Sequence, residues 1–160
     1  MKIEFVGNRI SFGLKRKIKR SAELTLDNLG QNHKNMLLSI EFMSASDMQE
    51  LNNRTRGINS ATDVLSYPNF NIKPHELIDP LDQANYIGKY ILLGDMAICL
   101  SRAEEQAKEY KHDLDDEIIK LVIHSVLHLM GFDHIEDEDF EVMNREEEKI
   151  SSKFYKKIKV

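Results

Sequence analysis

The 160-residue chain has a formal net charge of −5, with 41% hydrophobic and 31% charged residues. These values are typical of a globular protein, and the length suits a single domain, residues 1–160. An acidic chain excludes a strong overall attraction to nucleic acid or to an anionic membrane, so RNA binding would need a local basic surface. The lone cysteine excludes an intramolecular disulfide and a cysteine-rich zinc site.

The first half of the chain alternates strand and helix patterns. Residues 2–6 alternate apolar and polar side chains, which predicts a short strand. Residues 11–30 have apolar side chains at helical spacing and end on a glycine, which predicts a helix. A buried strand is expected over 35–43, and Ser46 is the expected N-cap of a short helix. A turn then leads into a strand over 63–67.

The second half begins with an irregular excursion over 68–88, which contains all three prolines. A strand is predicted over 89–95 and helices over 96–110, 113–131 and 137–152. The element order βαβαββααα predicts an α/β (α+β) fold in one domain. Such a domain would have a small mixed sheet of about four strands packed with about five helices.

Residues 124–134, HSVLHLMGFDH, contain three of the six histidines. His124 and His128 are four residues apart in an apolar helix, so their side chains share one face. Gly131 permits the left-handed backbone that ends a helix, and the chain can then bring His134 towards the pair. Three converging imidazoles predict a transition-metal site, with zinc as the default and an open position for water. The alternative is three separate histidines in the core or in turns.

The same histidine spacing occurs in HExxHxxGxxH metalloproteases, so the helix is zincin-like. In those enzymes the glutamate is the general base, whereas this chain has Ser125 at that position. A hydroxyl cannot accept a proton from metal-bound water as a carboxylate does, which disfavours that peptidase mechanism unless another acid substitutes. Cys99 and Asp133 are conceivable fourth ligands, and Asp133 could instead orient a ligand histidine.

Two upstream stretches extend the pattern. Residues 51–68, LNNRTRGINSATDVLSYP, are similar to the motif LNxxYRxxxxxTDVLSFP. Residues 92–98, LLGDMAI, are similar to the motif LGDIxI, and residues 124–134 are similar to the motif HGxLHLxGxDH. Together these motifs resemble the YbeY family of bacterial metal-dependent endoribonucleases, over residues 46–150. Thr55 stands where the family usually has an aromatic residue, and Ser125 where it often has glycine.

The resemblance implies three metal ligands, His124, His128 and His134. It also implies that Arg56 is the family's functional arginine and that Asp95 is its acidic residue near the cleft. From the residues alone, Arg56 could be a surface turn residue. Asp95, between a predicted strand and a predicted helix, could be an N-cap.

Zinc lowers the pKa of bound water to about 7 and polarises phosphoryl oxygens, while a guanidinium can bind phosphate bidentately. The resemblance implies a zinc-dependent endoribonuclease specific for single-stranded RNA, active in 16S rRNA 3′-end maturation and ribosome quality control. Its expected partners are rRNA, the small ribosomal subunit and assembly factors, in the cytoplasm and away from membranes. The basic run 15–20 is either a solvated helix face or a local RNA contact.

Two other function classes stay open. A metal-dependent amidase or peptidase would use the same three histidines with a different base. A non-catalytic ribosome-assembly factor would hold the metal for structural reasons, and metal-dependent turnover would distinguish it from both enzymes.

Overall fold

The computed structural model describes residues 1–79, 86–134 and 136–158. Its elements are β1 (Lys2–Gly7), α1 (Phe12–Asn28), β2 (Met36–Met43), α2 (Ala45–Arg56), β3 (Val64–Pro68), β4 (Tyr86–Ile87), β5 (Tyr90–Cys99), α3 (Leu100–Tyr110), α4 (Leu114–Leu129) and α5 (Asp137–Ile158). The predicted order of elements is confirmed, with the short β4 added before β5. None of the helices in these ranges is long and apolar enough to cross a membrane.

The strands of the described ranges form one mixed sheet in the order β1-β2-β5-β3. β1 is parallel to β2, and α1 forms the crossover between them. β2 is parallel to β5, and the chain between them contains α2, β3 and β4. β3 pairs antiparallel with β5 and forms an edge of the sheet, and the two residues of β4 pair with the start of β5. The predicted fold class, α/β with a small mixed sheet, is therefore confirmed.

Apolar side chains at helical spacing explain why α1 packs on the sheet. Ser11 caps its first turn by accepting a hydrogen bond from the Leu14 N–H (3.0 Å). Ile18, Ala22 and Leu26 are fully buried and form part of the main core. That core fills the space between α1, α4 and one face of the sheet.

Helix α4 lies at the centre of the helical layer. Most of its residues from Glu117 to Leu129 are buried, as expected for a helix enclosed by other elements. α1, α3 and α5 pack around it, and β3 borders it on the sheet side. Helix α4, the predicted apolar helix with the histidine motif, is therefore enclosed by its neighbours. Because it is enclosed, its polar side chains have fixed positions.

A second, smaller core lies on the other face of the sheet. There α2 contributes Met48, which packs with Leu65 of β3 and with Ala97 and Cys99 of β5. This cluster packs α2, whose last residue is Arg56, against the sheet.

Two boundaries differ from the sequence predictions. The N-cap of α2 is Ser44, whose hydroxyl accepts from the Asp47 N–H (3.2 Å), so the assignment to Ser46 was wrong by two residues. β5 continues to Cys99, so the helix expected from residue 96 begins at Leu100. Residues 96–99 stay extended because they pair with β2 on one side and β3 on the other, and this pairing outweighs their helical spacing.

The excursion over 68–88 contains a core residue and a short strand that the sequence does not predict. Ile78 is 3% exposed and belongs to the main core, and its N–H donates to Gln31 Oε1 (2.8 Å). Tyr86 and Ile87 form β4. Residues 80–85 of the excursion lie outside the described residues.

Candidate metal centre

Three histidines converge at the C-terminal end of α4. The ligand-type atoms of His124, His128 and His134 all lie within 4.8 Å of one another, the one such group of three or more among the described residues. The Nε2 atoms of His124 and His128 are 3.0 Å apart. The ring of His134 lies 5.6 Å and 4.9 Å from the rings of His124 and His128, measured between centroids. The structure thus brings together the three histidines that the sequence singles out.

The turn after α4 explains how His134 reaches the pair. Gly131 has a φ of +83°, and its N–H donates to the carbonyl of His128 (3.0 Å). The Phe132 N–H donates to the carbonyl of Leu127 (3.1 Å), which completes the Schellman motif that ends many helices. A Cβ at Gly131 would lie 2.1 Å from the Ile72 carbonyl oxygen, so glycine is required by both conformation and space.

The other ring nitrogens of the first two histidines have fixed partners. His124 Nδ1 lies 2.6 Å from Glu147 Oε1, and His128 Nδ1 lies 2.9 Å from the carbonyl oxygen of Phe132. Both partners are acceptors, so each Nδ1 carries the proton and each Nε2 keeps its lone pair. A carboxylate or carbonyl on the distal nitrogen is the usual arrangement around a metal-binding histidine.

Burial favours the neutral form of the central ring. Desolvation, with smaller contributions from the neighbouring His124 and His134, lowers the pKa of His128 to about 4. At neutral pH this imidazole is therefore uncharged, as a metal ligand must be. The donor set fits a divalent transition metal: three imidazoles with converging nitrogens, two of them oriented from behind.

The three histidines line a cleft of about 910 Å³. Its other wall comes from β3 and the segments on either side of it, including Arg56 at the end of α2. Arg56 is exposed, and the left-handed Gly57 ends the helix directly after it (φ +70°). The predicted arginine and the predicted metal ligands therefore face one cleft.

The cleft also contains Asp63, whose carboxylate is occupied by local contacts. One oxygen accepts from the Val64 N–H (2.8 Å) and the Thr62 hydroxyl (3.0 Å), and the other accepts from Gln106 Nε2 (2.9 Å). These bonds hold the start of β3.

Asp95 is not among the residues that line this cleft. It lies within β5, paired with Ser39 and Tyr67, so it is not the helix N-cap considered above. Side chains alternate along a strand, which puts Asp95 on the face of Ala97 and Cys99, opposite the face that packs against α4.

The two conceivable fourth ligands have other positions. Cys99 is buried in the second core on the far side of the sheet. Asp133 lines the cleft, and its Oδ1 accepts from the backbone N–H of His134 (2.7 Å), which holds the turn that carries that histidine.

Glu147, which reaches His124 from α5, is a site residue that the sequence does not predict. The two residues are 23 positions apart, and no local spacing connects them. A weak signal was present in the acidic helix that follows the histidine motif, since a ligand histidine commonly has a carboxylate partner.

Comparisons with known proteins show the family of the chain. Residues 3–155 match the family model described as Endoribonuclease YbeY. A Clostridium beijerinckii protein named Endoribonuclease YbeY is 38% identical over 144 residues, covering 85% of this chain and 86% of its own. A Caldicellulosiruptor bescii protein of the same name is 43% identical over 116 residues, covering 72% of each chain.

The fold has a counterpart among solved structures. A Thermotoga maritima protein, solved in solution, aligns with a TM-score of 0.62 at 23% identity and covers 98% of this chain and 91% of its own. That likeness concerns the fold. The family match over nearly the whole sequence, together with the full-length relatives, identifies the chain as a member of the YbeY endoribonuclease family.

Proposed function

We propose that this protein is a metal-dependent endoribonuclease that cleaves single-stranded RNA. The observation that carries the proposal is the shared cleft, in which three converging imidazoles face an exposed arginine. The names of the relatives, Endoribonuclease YbeY, supply the reaction class. The match over 3–155 further supports treating residues 1–160 as one YbeY-like domain.

His124, His128 and His134 would hold the metal, with zinc as the default among the divalent transition metals that imidazole ligands bind. Bound there, the ion would activate water for attack on phosphorus and polarise a phosphoryl oxygen. Glu147 holds the ring of His124 and the carbonyl of Phe132 holds that of His128. These two contacts fix the orientation of both rings before the substrate binds. A contact of this kind supports catalysis by holding the ligand rings in place.

Arg56 is the proposed phosphate-binding residue. A guanidinium donates two parallel hydrogen bonds to a phosphate, and it stabilises charge that develops on the equatorial oxygens during cleavage. Arg56 is exposed in the cleft, so its guanidinium is accessible to an RNA strand that binds there. Asp95 lies on the opposite face of the sheet, so we do not propose that it contacts the substrate.

The substrate class follows from the family and from the charge of the chain. A net charge of −5 does not favour tight unaided binding to RNA, because affinity for phosphates comes from Lys and Arg contacts. Weak intrinsic binding suits an enzyme that is delivered to its substrate. We therefore propose 16S rRNA 3′-end maturation and ribosome quality control in the cytoplasm, with the small subunit and assembly factors as partners.

The test is cleavage of a labelled single-stranded rRNA fragment by the purified protein and by His128→Ala purified identically. We expect cleavage by the wild type only, loss of activity with a chelator, and recovery when zinc is returned. A duplex of the same sequence should be cut far more slowly. His33→Ala, which changes a histidine outside the cleft, is the matched control and should retain activity and bound metal.

Equal activity of the wild type and His128→Ala would trace the cleavage to a contaminating nuclease and contradict the proposal. Metal binding without cleavage would favour the non-catalytic assembly factor. Cleavage of amide substrates in place of RNA would favour the amidase.

A further inference from the structure

Tyr110 is an exposed aromatic residue in the same cleft as the histidines. It is the last residue of α3, its side chain lines the cleft, and the residue is 60% exposed. Exposed aromatic rings in a groove are the surfaces on which single-stranded nucleic acids stack their bases. Neither metal binding by the three histidines nor phosphate binding by Arg56 explains why an aromatic ring lies in the cleft.

The ring of Tyr110 is held by its neighbours. Lys111 adopts a left-handed conformation (φ +58°), which ends α3 and turns the chain back. The ring of His112 then lies nearly parallel to that of Tyr110, at 17° and 6.1 Å between centroids. Lys120 Nζ lies over the Tyr110 ring, 5.2 Å from its centroid, within the range of a cation–π interaction.

A buried carboxylate accounts for this grouping. Glu117 is only 3% exposed, and a buried carboxylate is costly unless cationic groups lie beside it. Its Oε2 lies 2.9 Å from His112 Nε2, although the two atoms are not aligned for a hydrogen bond, and 3.7 Å from Lys120 Nζ. Glu117 thus lies beside the two side chains that contact the Tyr110 ring, and Tyr110 itself remains 60% exposed.

The group lies a short distance from the metal cluster. Lys120 precedes His124 by four residues of α4, which is about 6 Å of helix rise. Its side chain is half exposed and, like Tyr110, lines the cleft. A strand with one phosphate at the histidines can therefore present its neighbouring nucleotide to Tyr110 and Lys120.

We propose that Tyr110 and Lys120 form a nucleotide subsite beside the metal cluster, in which the ring stacks on an RNA base and the ammonium binds a phosphate. This inference rests on the proposed function, since it assumes that the cleft binds single-stranded RNA. It adds residues that bind the substrate at a distance from the reacting atoms. Stacking accepts any base, so the subsite confers strand preference without sequence preference.

The test measures equilibrium binding of a short fluorescent single-stranded RNA in the His128→Ala background, where cleavage does not interfere. Adding Tyr110→Ala should weaken binding about 5- to 150-fold, whereas Tyr110→Phe, which keeps the ring, should bind as the parent does. Lys120→Gln should reduce the slope of log affinity against log salt by about 0.7. In the active enzyme, Tyr110→Ala should raise KM and leave kcat nearly unchanged.

Phe12→Ala and Lys34→Gln, at exposed positions outside the cleft, are the matched controls and should change neither affinity nor salt dependence. An unchanged melting temperature for Tyr110→Ala would show that the variant is folded. RNA binding that is equal in Tyr110→Ala and its parent would overturn the subsite and leave metal-dependent cleavage standing. Absence of RNA binding in every variant would overturn both proposals.

Discussion

At the scale of single residues, the two nitrogens of each histidine ring have separate tasks. Nδ1 of His124 and Nδ1 of His128 donate to Glu147 and to a backbone carbonyl, so the proton is fixed on that side. Both Nε2 atoms are thereby left as acceptors, 3.0 Å apart and facing each other. Glu147 is the side chain whose removal tests whether this orientation matters, because the other partner belongs to the backbone.

We predict that Glu147→Gln lowers metal affinity about 10- to 100-fold, the usual effect of losing a carboxylate behind a ligand histidine. The amide keeps the size of the side chain but removes the charge that favours a bound cation. Competition with a chromogenic chelator would measure the change.

Glu148→Gln is the matched control, since that neighbouring carboxylate is exposed and contacts only Asn144 in the described part of the chain. The two variants should differ clearly. Equal metal affinity in both would remove Glu147 from the metal centre.

The sequence was informative about residues only where local spacing determines geometry. His124 and His128 share a helix face at any i, i+4 spacing, and Gly131 indicates the turn that returns His134. Glu147 could not be found this way, because its contact with His124, 23 positions earlier in the chain, depends on how α5 packs against α4.

At the scale of elements, the metal centre depends on the turn that ends α4. Gly131 has a positive φ and lies against the Ile72 carbonyl, so this glycine also lets the segment after β3 approach the cluster. The Phe132 carbonyl that orients His128 comes from the same turn. Any shift of this turn therefore moves one ligand and the partner of another.

We predict that Gly131→Ala destabilises the metal-free protein by at least about 3 kcal/mol, from left-handed strain of about 1 kcal/mol plus a backbone collision. Metal affinity should fall as well, because His134 is displaced. Urea denaturation and chelator competition would measure the two effects.

Gly57→Ala separates strain from collision. Gly57 also has a positive φ (+70°), but a Cβ there meets nothing within 4 Å. This control should cost only about 1 kcal/mol and leave metal binding intact. Equal losses in the two variants would contradict the argument from close approach.

Element boundaries show where sequence patterns stop being decisive. Met96 to Cys99 can be read as the first turn of an amphipathic helix, yet these residues extend β5 because partners lie on both sides of the strand. Serine is a favourable N-cap at both position 44 and position 46. Helix α2 begins at Ala45, and Ser44 is its N-cap. For β5, pairing with distant residues decides between two locally adequate structures.

At the scale of the whole molecule, the histidine cluster joins α4, the turn that follows it and α5. Two of the proposed ligands belong to α4, the third follows the turn, and α5 contributes the carboxylate that contacts His124. An ion that binds this arrangement and not the unfolded chain stabilises the fold by mass action. The size of that stabilisation depends on the concentration of free metal relative to Kd.

We predict that saturating metal raises the melting temperature of the wild type and that a chelator reverses the rise. At free metal of 100 times Kd the added stability is about 2.7 kcal/mol, which corresponds to roughly 5–10 °C for a chain of this length. His128→Ala should show no shift, whereas His33→Ala should show the full one. Differential scanning calorimetry of the three proteins, each with and without chelator, would measure it. A wild-type melting temperature that is insensitive to metal and chelator would mean that the three histidines do not bind an ion.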